Sequence, residues 1–492
     1  MLRTLLIAAA LALAALAPAA AQKRDGAVLG MVLEPPGLDP TAGAAAAIGE
    51  ITLGNVFEGL MRINADGTAS PLLARAFAVS PDLKTYTFQL VGGATFHDGA
   101  PFTSADVKFS FERAAGPEST NKDKPFFLNF AKIETPDPTH VGIELKQPDP
   151  DFLFKLGLPT SVIVSPASAA NNASRPIGTG PFALVVWARG SSIALAKWPN
   201  YRAAQNIALS AVVFQFINDP AAQVAALLAG DIDAFPRFGA FQAIAQFQGD
   251  PRFAVTIGGT EGKTILAINN RRKPFDDVRV RRAIAHALDR KAIIDGAQNG
   301  LGTPIGSHAV PIDPGYVDLT SAYPLDVGKA KALLAEAGVA TPLQVTLSLP
   351  PPAYARQGGE IIAAQLAKIG IVAKIENVEW AQWLSGVYKA HNFDLTVISH
   401  VEPGDYAIYA NPDYYFGYDS APYRALLAKA ASAESGPSRL AALGEVQRKL
   451  SEDAVNGYLF QLAQVTVSDR RLHGLWKDSP VFANDLSALT WE

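Results

Sequence analysis

The sequence predicts an α/β fold in about three domains, and three observations carry that expectation. Helix and strand signals alternate along the whole chain of 492 residues. That length corresponds to about three domains at ~150 residues each. Apolar residues make up 49% and charged residues only 18% of the chain, below the ~25% usual for soluble domains, so there is ample material for sizeable cores. The strand signals Leu343–Leu347, Ile371–Ile375 and Phe393–Ile398 interleave with helices and read as an α/β lobe with a mixed sheet. The N-terminal half carries more Pro, Gly and Asp punctuation and reads as α+β, and no internal repeat is visible.

The elements follow in order. Thr85–Leu90 alternates as a strand. Thr103-Ser-Ala-Asp106 is a capping box, in which Thr103 accepts from the Asp106 N–H and Asp106 reaches back; Val107 and Phe111 then stack one turn apart. Ala211–Ile217 is a strand. Asp219-Pro220 places a cap and an N1 proline before Val224, Leu227 and Leu228, and Gly230 ends that helix. Thr264–Asn269 is a strand, and Asp277 starts a helix with Val280, Ile284, Ala287 and Leu288 on one face. Asp326 opens a helix through Leu333 and Leu334 to Gly338, and Ile361, Ile362, Gln365, Leu366 and Ile369 line another that ends at Gly370.

The N-terminus has its own logic. Arg3 precedes a continuous Leu, Ile and Ala run from Leu5 to Leu16, and Ala19-Ala20-Ala21 follows Pro18. Positive, apolar and small-residue regions in that order predict a cleavable secretory signal peptide over residues 1–21. Removing those 21 residues from 492 leaves 471, starting near Gln22, and removing Arg3 leaves 41 Lys and Arg against 46 Asp and Glu, a net charge of −5. Without cysteine the chain can carry neither a diacylglycerol anchor nor a disulfide. A large, unanchored exported protein is expected in a periplasm. No run of Lys or Arg points to nucleic acid, and no later apolar run approaches the ~20 residues of a spanning helix.

Motifs of catalysis are missing. The sequence has no His-Glu-x-x-His and no Gly-x-Ser-x-Gly, and no cysteine nucleophile. Gly258-Gly-Thr-Glu-Gly-Lys-Thr264 resembles a phosphate loop, but the position that needs the first glycine is Ile257, so the cradle of backbone N–H groups would not close. Gly230-Asp-Ile-Asp233 lacks the later acidic positions of a calcium loop. The seven histidines include no pair at helical spacing, so no metal site, resident cofactor or catalytic residue is expected. A periplasmic hydrolase is correspondingly disfavoured.

Read as ordered landmarks, the chain resembles the periplasmic solute-binding proteins of ABC importers that include dipeptide, oligopeptide, glutathione and nickel receptors (family 5 extracellular solute-binding proteins). The landmarks are Pro36-Gly-Leu-Asp-Pro40, Asn55–Leu60, Pro71–Ala74 and Ser80–Phe88 running into Phe96-His-Asp-Gly99 and Phe102–Ser110. Pro176-Ile-Gly-Thr-Gly-Pro-Phe182, Trp187, Trp198-Pro-Asn-Tyr201 and Leu228–Asp233 follow. Last come Phe275–Ala283, Ala287–Arg290 and Ala335–Gly338. The resemblance implies a two-lobe periplasmic binding protein (type II, cluster C-like) with an inserted domain and a central ligand cleft. It places lobe I in residues 22–50, 165–262 and 465–492, the inserted domain in 51–164 and lobe II in 263–464. It also implies an inner-membrane ABC permease and ATPase complex as partners, with a monomeric receptor. Most landmarks are expected to be structural: Arg279, Arg281 and Arg282 as packing charges, and His97-Asp98-Gly99 as a turn.

For peptide-binding members, the resemblance implies an aspartate for the ligand's ammonium and an arginine fork for its carboxylate, because a desolvated ion costs several kcal/mol unless paired. Here Asp405, after the strand ending at Ile398, matches the first role, with Glu402 second. Arg356 matches the carboxylate arginine. Trp380 matches a cleft-lining aromatic, whereas Trp383 is expected in the core. His400 stands where peptide receptors often have Trp, which opens the alternative of a non-peptide cargo such as a nickel chelate, glycoside or organic acid. Glu34 is a candidate from the other lobe. The segment Tyr406–Tyr418 is aromatic enough either to pack a core or to stack on a planar ligand, Tyr406 being its candidate contact.

Overall fold

The computed structural model describes residues 24–43, 45–433 and 436–492. The expected signal peptide therefore lies outside the described residues.

One eleven-stranded sheet runs through most of the molecule. From one edge its order is Ile371–Asn377, Leu343–Leu349, Leu395–His400, Phe253–Ile268, Gly457–Asp469, Ala234–Phe235, Gly26–Met31, Ala211–Phe216, Ser192–Lys197 and Phe182–Ala188, with Gly302–Pro304 set against Gly457–Asp469. The two long strands in the middle, Phe253–Ile268 and Gly457–Asp469, are antiparallel partners. They divide the sheet. The stretch Phe253–Gly259 pairs with Ala463–Asp469, whereas Lys263–Ile268 also pairs with Leu395–His400. Between Gly259 and Lys263 the register slips in a bulge.

The strand signal read from Thr264 thus begins eleven residues earlier, at Phe253, and the glycine-rich near-miss to a phosphate loop is its bulged centre. Glycine is needed there for close approach: a Cβ on Gly258 would lie 1.9 Å from the Lys477 carbonyl oxygen.

Each half of the sheet has its own core. Leu29, Phe182, Ile193, Leu195, Val212 and Phe214 pack together on one half. On the other half, Lys263–Ile268 is covered on both faces. Leu266 and Ile268 face a core with Ile284, Ile362 and Leu366 from the helices Val278–Ala287 and Ala353–Ala367, and Ile265 and Ala267 face an aromatic core with Tyr409, Tyr415, Phe416 and Tyr423. Burial on both sides explains the unbroken apolar run in this strand.

A separate four-stranded antiparallel sheet, in the order Ala74–Val79, Thr85–Leu90, His140–Leu145, Phe130–Asp137, has its own core of Phe88, Phe96, Phe111, Phe127, Ile143 and Phe152. The helix Ser104–Ala115 covers it, and the capping box Thr103/Asp106 is formed as expected. Asp219, Asp277 and Asp326 cap their helices through the backbone N–H groups of Ala222, Arg279 and Lys329. Among the described residues no helix is long and apolar enough to cross a membrane.

Several landmark residues are structural. Buried Glu58 accepts a two-pronged fork from Arg202, both contacts 2.7 Å, and bonds from Tyr201 Oη and Thr179 Oγ1. A Cβ on Gly178 would lie 1.9 Å from the Val56 carbonyl oxygen. Arg281 is buried and donates to the carbonyls of Phe275, Asp276, Asp453 and Ala454, and His97 meets the Gly180 carbonyl at 3.0 Å.

Candidate functional site

Three strands set the site. Leu343–Leu349 is parallel to Ile371–Asn377 on one side and to Leu395–His400 on the other. The chain leaves Leu343–Leu349 in one direction and returns beyond it in the other, so the crevice at the carboxyl ends of these strands is a topological switch point, where open α/β sheets bind ligands. The loop after Leu349 leads into the helix bearing Tyr354 and Arg356. The loop after Asn377 leads to Trp380, and the loop after His400 carries Glu402 and Asp405. Tyr354 Oη accepts from the Ser399 N–H at 3.3 Å, which joins the start of that helix to the end of the strand Leu395–His400.

Trp380 is 43% exposed and leads an aromatic series inward that alternates edge-on and stacked contacts. It meets Trp383 at 5.9 Å, Trp383 meets Tyr388 at 6.1 Å and Tyr415 at 5.9 Å, and Tyr415 stacks on His400 with an interplanar angle of 14°. Trp383 is buried and donates to Thr396 Oγ1 at 3.0 Å. Trp383–Lys389 winds as a π-helix, a form that concentrates at functional positions. The exposed Trp380, Leu384 and Tyr388 share one side of this segment. Most of Tyr406–Tyr418 packs inward instead: Tyr406, Tyr409, Tyr415, Phe416 and Tyr418 are buried in the aromatic core.

Asp405 stands in a buried charge cluster. Its Oδ1 accepts from His308 Nε2 at 2.9 Å and lies 3.4 Å from Lys263 Nζ, and its Oδ2 lies 3.9 Å from His400 Nδ1. Lys263 is fully buried, donates to the Glu402 carbonyl at 2.7 Å and lies 3.7 Å from Glu261 Oε2. Tyr409 Oη meets His308 Nδ1 at 2.9 Å, and Tyr415 Oη meets His400 Nε2 at 3.1 Å. Burial pushes the Asp405 carboxyl up, but His308 and Lys263 outweigh it and hold the group well below the ordinary range. Burial, with His308 and Lys263 nearby, takes His400 down to about 3, so it is neutral and offers no pH switch near neutrality. Burial and the Asp313 carboxyl beside it push Glu261 up to about 9. Ligating atoms of His308, His400 and Asp405 all lie within 4.8 Å of one another. That spacing suits a metal ion, but the Lys263 ammonium already compensates the carboxylate.

The other predicted residues are placed as follows. The Glu402 side chain is exposed and accepts from the Val401 N–H, while its carbonyl serves Lys263. Arg356 pairs with exposed Glu379 at 3.1 Å. Tyr406 is buried, with its hydroxyl unpartnered. Glu34 is not brought to this cluster by any bond: it accepts from Trp187 Nε1 at 2.9 Å and from the Gly190 N–H at the hairpin Phe182–Lys197, on the far edge of the sheet. Lys263, Glu261, His308 and Asp313 were not singled out from sequence. The one signal was a lysine beside the apolar run Thr264–Ile268; the separations from 263 to 308 and 405 carry no pattern.

A mixed sheet shared by two halves, a separate small domain, and a crevice at a switch point define a two-lobe binding protein. Residues 68–425 match the bacterial extracellular solute-binding proteins, family 5 Middle, and the chain belongs to that family of binding proteins. Glutathione-binding protein GsiB of Salmonella typhi is 30% identical over 332 residues, 66% of this chain and 64% of that protein. The chain therefore aligns with just under two thirds of that relative's length. The solved structure of PBP AgaA in complex with agropinic acid, from A.tumefacien R10, is 29% identical with a TM-score of 0.79, covering 95% of this chain and 99% of that one. HbpA2 from Haemophilus parasuis, at 23% identity, has the same fold, with a TM-score of 0.87 over 95% of this chain and all of that one.

Proposed function

We propose that the protein is the periplasmic substrate-binding component of an ABC importer, exported by a cleaved signal peptide without a lipid anchor. It captures a peptide or peptide-like solute between its lobes and, as a monomer, presents it to a membrane permease and ATPase. It is not an enzyme on this reading. The observation that carries the proposal is the convergence of Arg356, Trp380 and the Glu402–Asp405 loop at the carboxyl ends of three parallel strands in a family of solute-binding proteins. Lobe I would comprise residues 22–50, 165–262 and 465–492, with the inserted domain at 51–164 and lobe II at 263–464; the bulge at Gly259–Lys263 supports the crossing point at 262/263.

A second reading, the same receptor with a non-peptide cargo, is favoured by one observation: the Asp405 carboxylate already has His308 and Lys263 as partners. The test is native mass spectrometry on protein taken from the periplasm without refolding, with the released solute identified. A mixture of short peptides supports the peptide reading. A single non-peptide mass supports the second, and a protein that never carries or binds a solute refutes both.

A further inference from the structure

We infer that Lys263 is a specificity determinant of this site: it stands on Asp405 as a built-in ammonium, so the cleft takes solutes that bring no free amine to this pole. The inference rests on the receptor reading above and deepens it to a ligand class, namely N-blocked peptides and amine-free organic acids.

The geometry points there from several sides. Lys263 is the first residue after the bulge in Phe253–Ile268 and has no exposed surface, so its charge cannot reach water. Its ammonium is surrounded by the Glu402 carbonyl at 2.7 Å, Asp405 Oδ1 at 3.4 Å and Glu261 Oε2 at 3.7 Å. Asp405 also takes His308 at 2.9 Å, and its second oxygen faces His400. A ligand ammonium arriving at this carboxylate would meet a like charge just behind it.

The other carboxylates nearby are already engaged: Asp313 accepts from the Val310 N–H at 2.8 Å and acts on Lys263 from the side of Glu261. Glu261 is buried with Oε2 lacking a hydrogen-bond partner, and it lies beside Asp313, Lys263 and Asp405. Burial and Asp313 keep it protonated at neutral pH. A desolvated cation without its own counter-ion is strongly disfavoured. An amide, lactam, hydroxyl or carboxylate pole meets no such repulsion.

The solute released from natively purified protein is acetylated with acetic anhydride, and its affinity is measured by calorimetry before and after. The expected result is a solute with no amine to acetylate, or one whose affinity stays within about twofold. A loss of about tenfold or more on acetylation overturns this inference and leaves the receptor reading standing. A protein that never carries or binds a solute overturns the receptor reading and this inference with it.

Trialanine and N-acetyltrialanine serve as a second pair of probes. Wild-type protein should show no preference for the free amine. Lys263→Met, if folded by circular dichroism, should prefer trialanine by about tenfold, because Asp405 is then uncovered. No preference in the folded variant overturns the role given to Lys263, and the solute measurement on wild-type protein stands alone where the variant fails to fold.

Discussion

Replacing Asp405 should cost stability first, whatever it does to binding. The Lys263 ammonium lies 3.4 Å from Asp405 Oδ1, and at an effective dielectric constant of 20 that separation corresponds to about 5 kcal/mol of attraction. Removing one partner of a buried pair leaves the other charge uncompensated, which costs about 3–5 kcal/mol. Asp405→Ala also deprives His308 Nε2 of its acceptor, so Asp405→Asn, which retains one carbonyl oxygen, should be the milder change. The assay is urea unfolding of wild type, both single variants and the double variant Lys263→Met/Asp405→Leu, followed by circular dichroism. The double variant should recover much of the loss, because two apolar groups replace a desolvated pair. The pH dependence has a definite sign. The Asp405 carboxyl is held below its unfolded value of about 3.9, so its contribution is complete above that pH and is lost as the pH falls through the folded value. Asp405→Asn should lack this acid-sensitive component. A loss under about 1 kcal/mol in Asp405→Ala, or a double variant no more stable than the single, would refute the reasoning.

Glu261 should behave in the opposite sense. Its carboxyl is raised to about 9 in the folded protein against 4.5 for the free group, so wild-type stability should decline as the pH rises between those values. Glu261→Gln, which mimics the protonated form, should flatten that part of the profile in urea titrations from pH 5 to 9; an unchanged slope counts against a protonated Glu261. Trp380→Ala removes a side chain that is 43% exposed and should leave the unfolding midpoint nearly unchanged. It should weaken binding of the co-purified solute by roughly 1 kcal/mol, about fivefold in Kd by calorimetry; wild-type affinity would remove Trp380 from the site.

Local signals carried much of the fold. The Asp caps at 219, 277 and 326 and the box at Thr103/Asp106 state their helices in a few adjacent residues, and all four are present. The strand Phe253–Ile268 was legible only from Thr264, because three glycines and a bulge interrupt the two-residue periodicity. What demands glycine there is a neighbouring carbonyl, at Lys477, more than two hundred positions away. The site divides in the same way. Arg356, Trp380 and Asp405 were reached through the family resemblance, and each follows a strand of the same parallel set. The partners of Asp405 could not be reached in that way, since Lys263 and His308 come from other segments and their meeting depends on packing. His400 was noticed for the residue it replaces, but its neutrality follows from burial among Tyr415, His308 and Lys263, which no local pattern encodes.

The position of Lys263 on its strand ties the site to the joint between the two halves of the sheet. From Gly259 to Lys263 the backbone ladder between the two long strands is interrupted, and side chains stand in for it: Thr260 Oγ1 donates to the Leu462 carbonyl at 2.9 Å, and Gln461 Nε2 donates to the Thr260 carbonyl at 2.8 Å. The bulge bends the strand at this point. Away from the strands, Arg439 of the helix Pro437–Glu452 pairs with Asp151 beside the core of the small sheet, which ties that sheet to the second half of the large one. Lys263 is the first ladder residue beyond the bulged stretch, and it holds Asp405 and the Glu402 carbonyl in the loop after His400. One buried side chain thus ties that loop to the bulged joint. The charge cluster therefore sits where the loop after His400 and the joint between the two halves of the sheet meet.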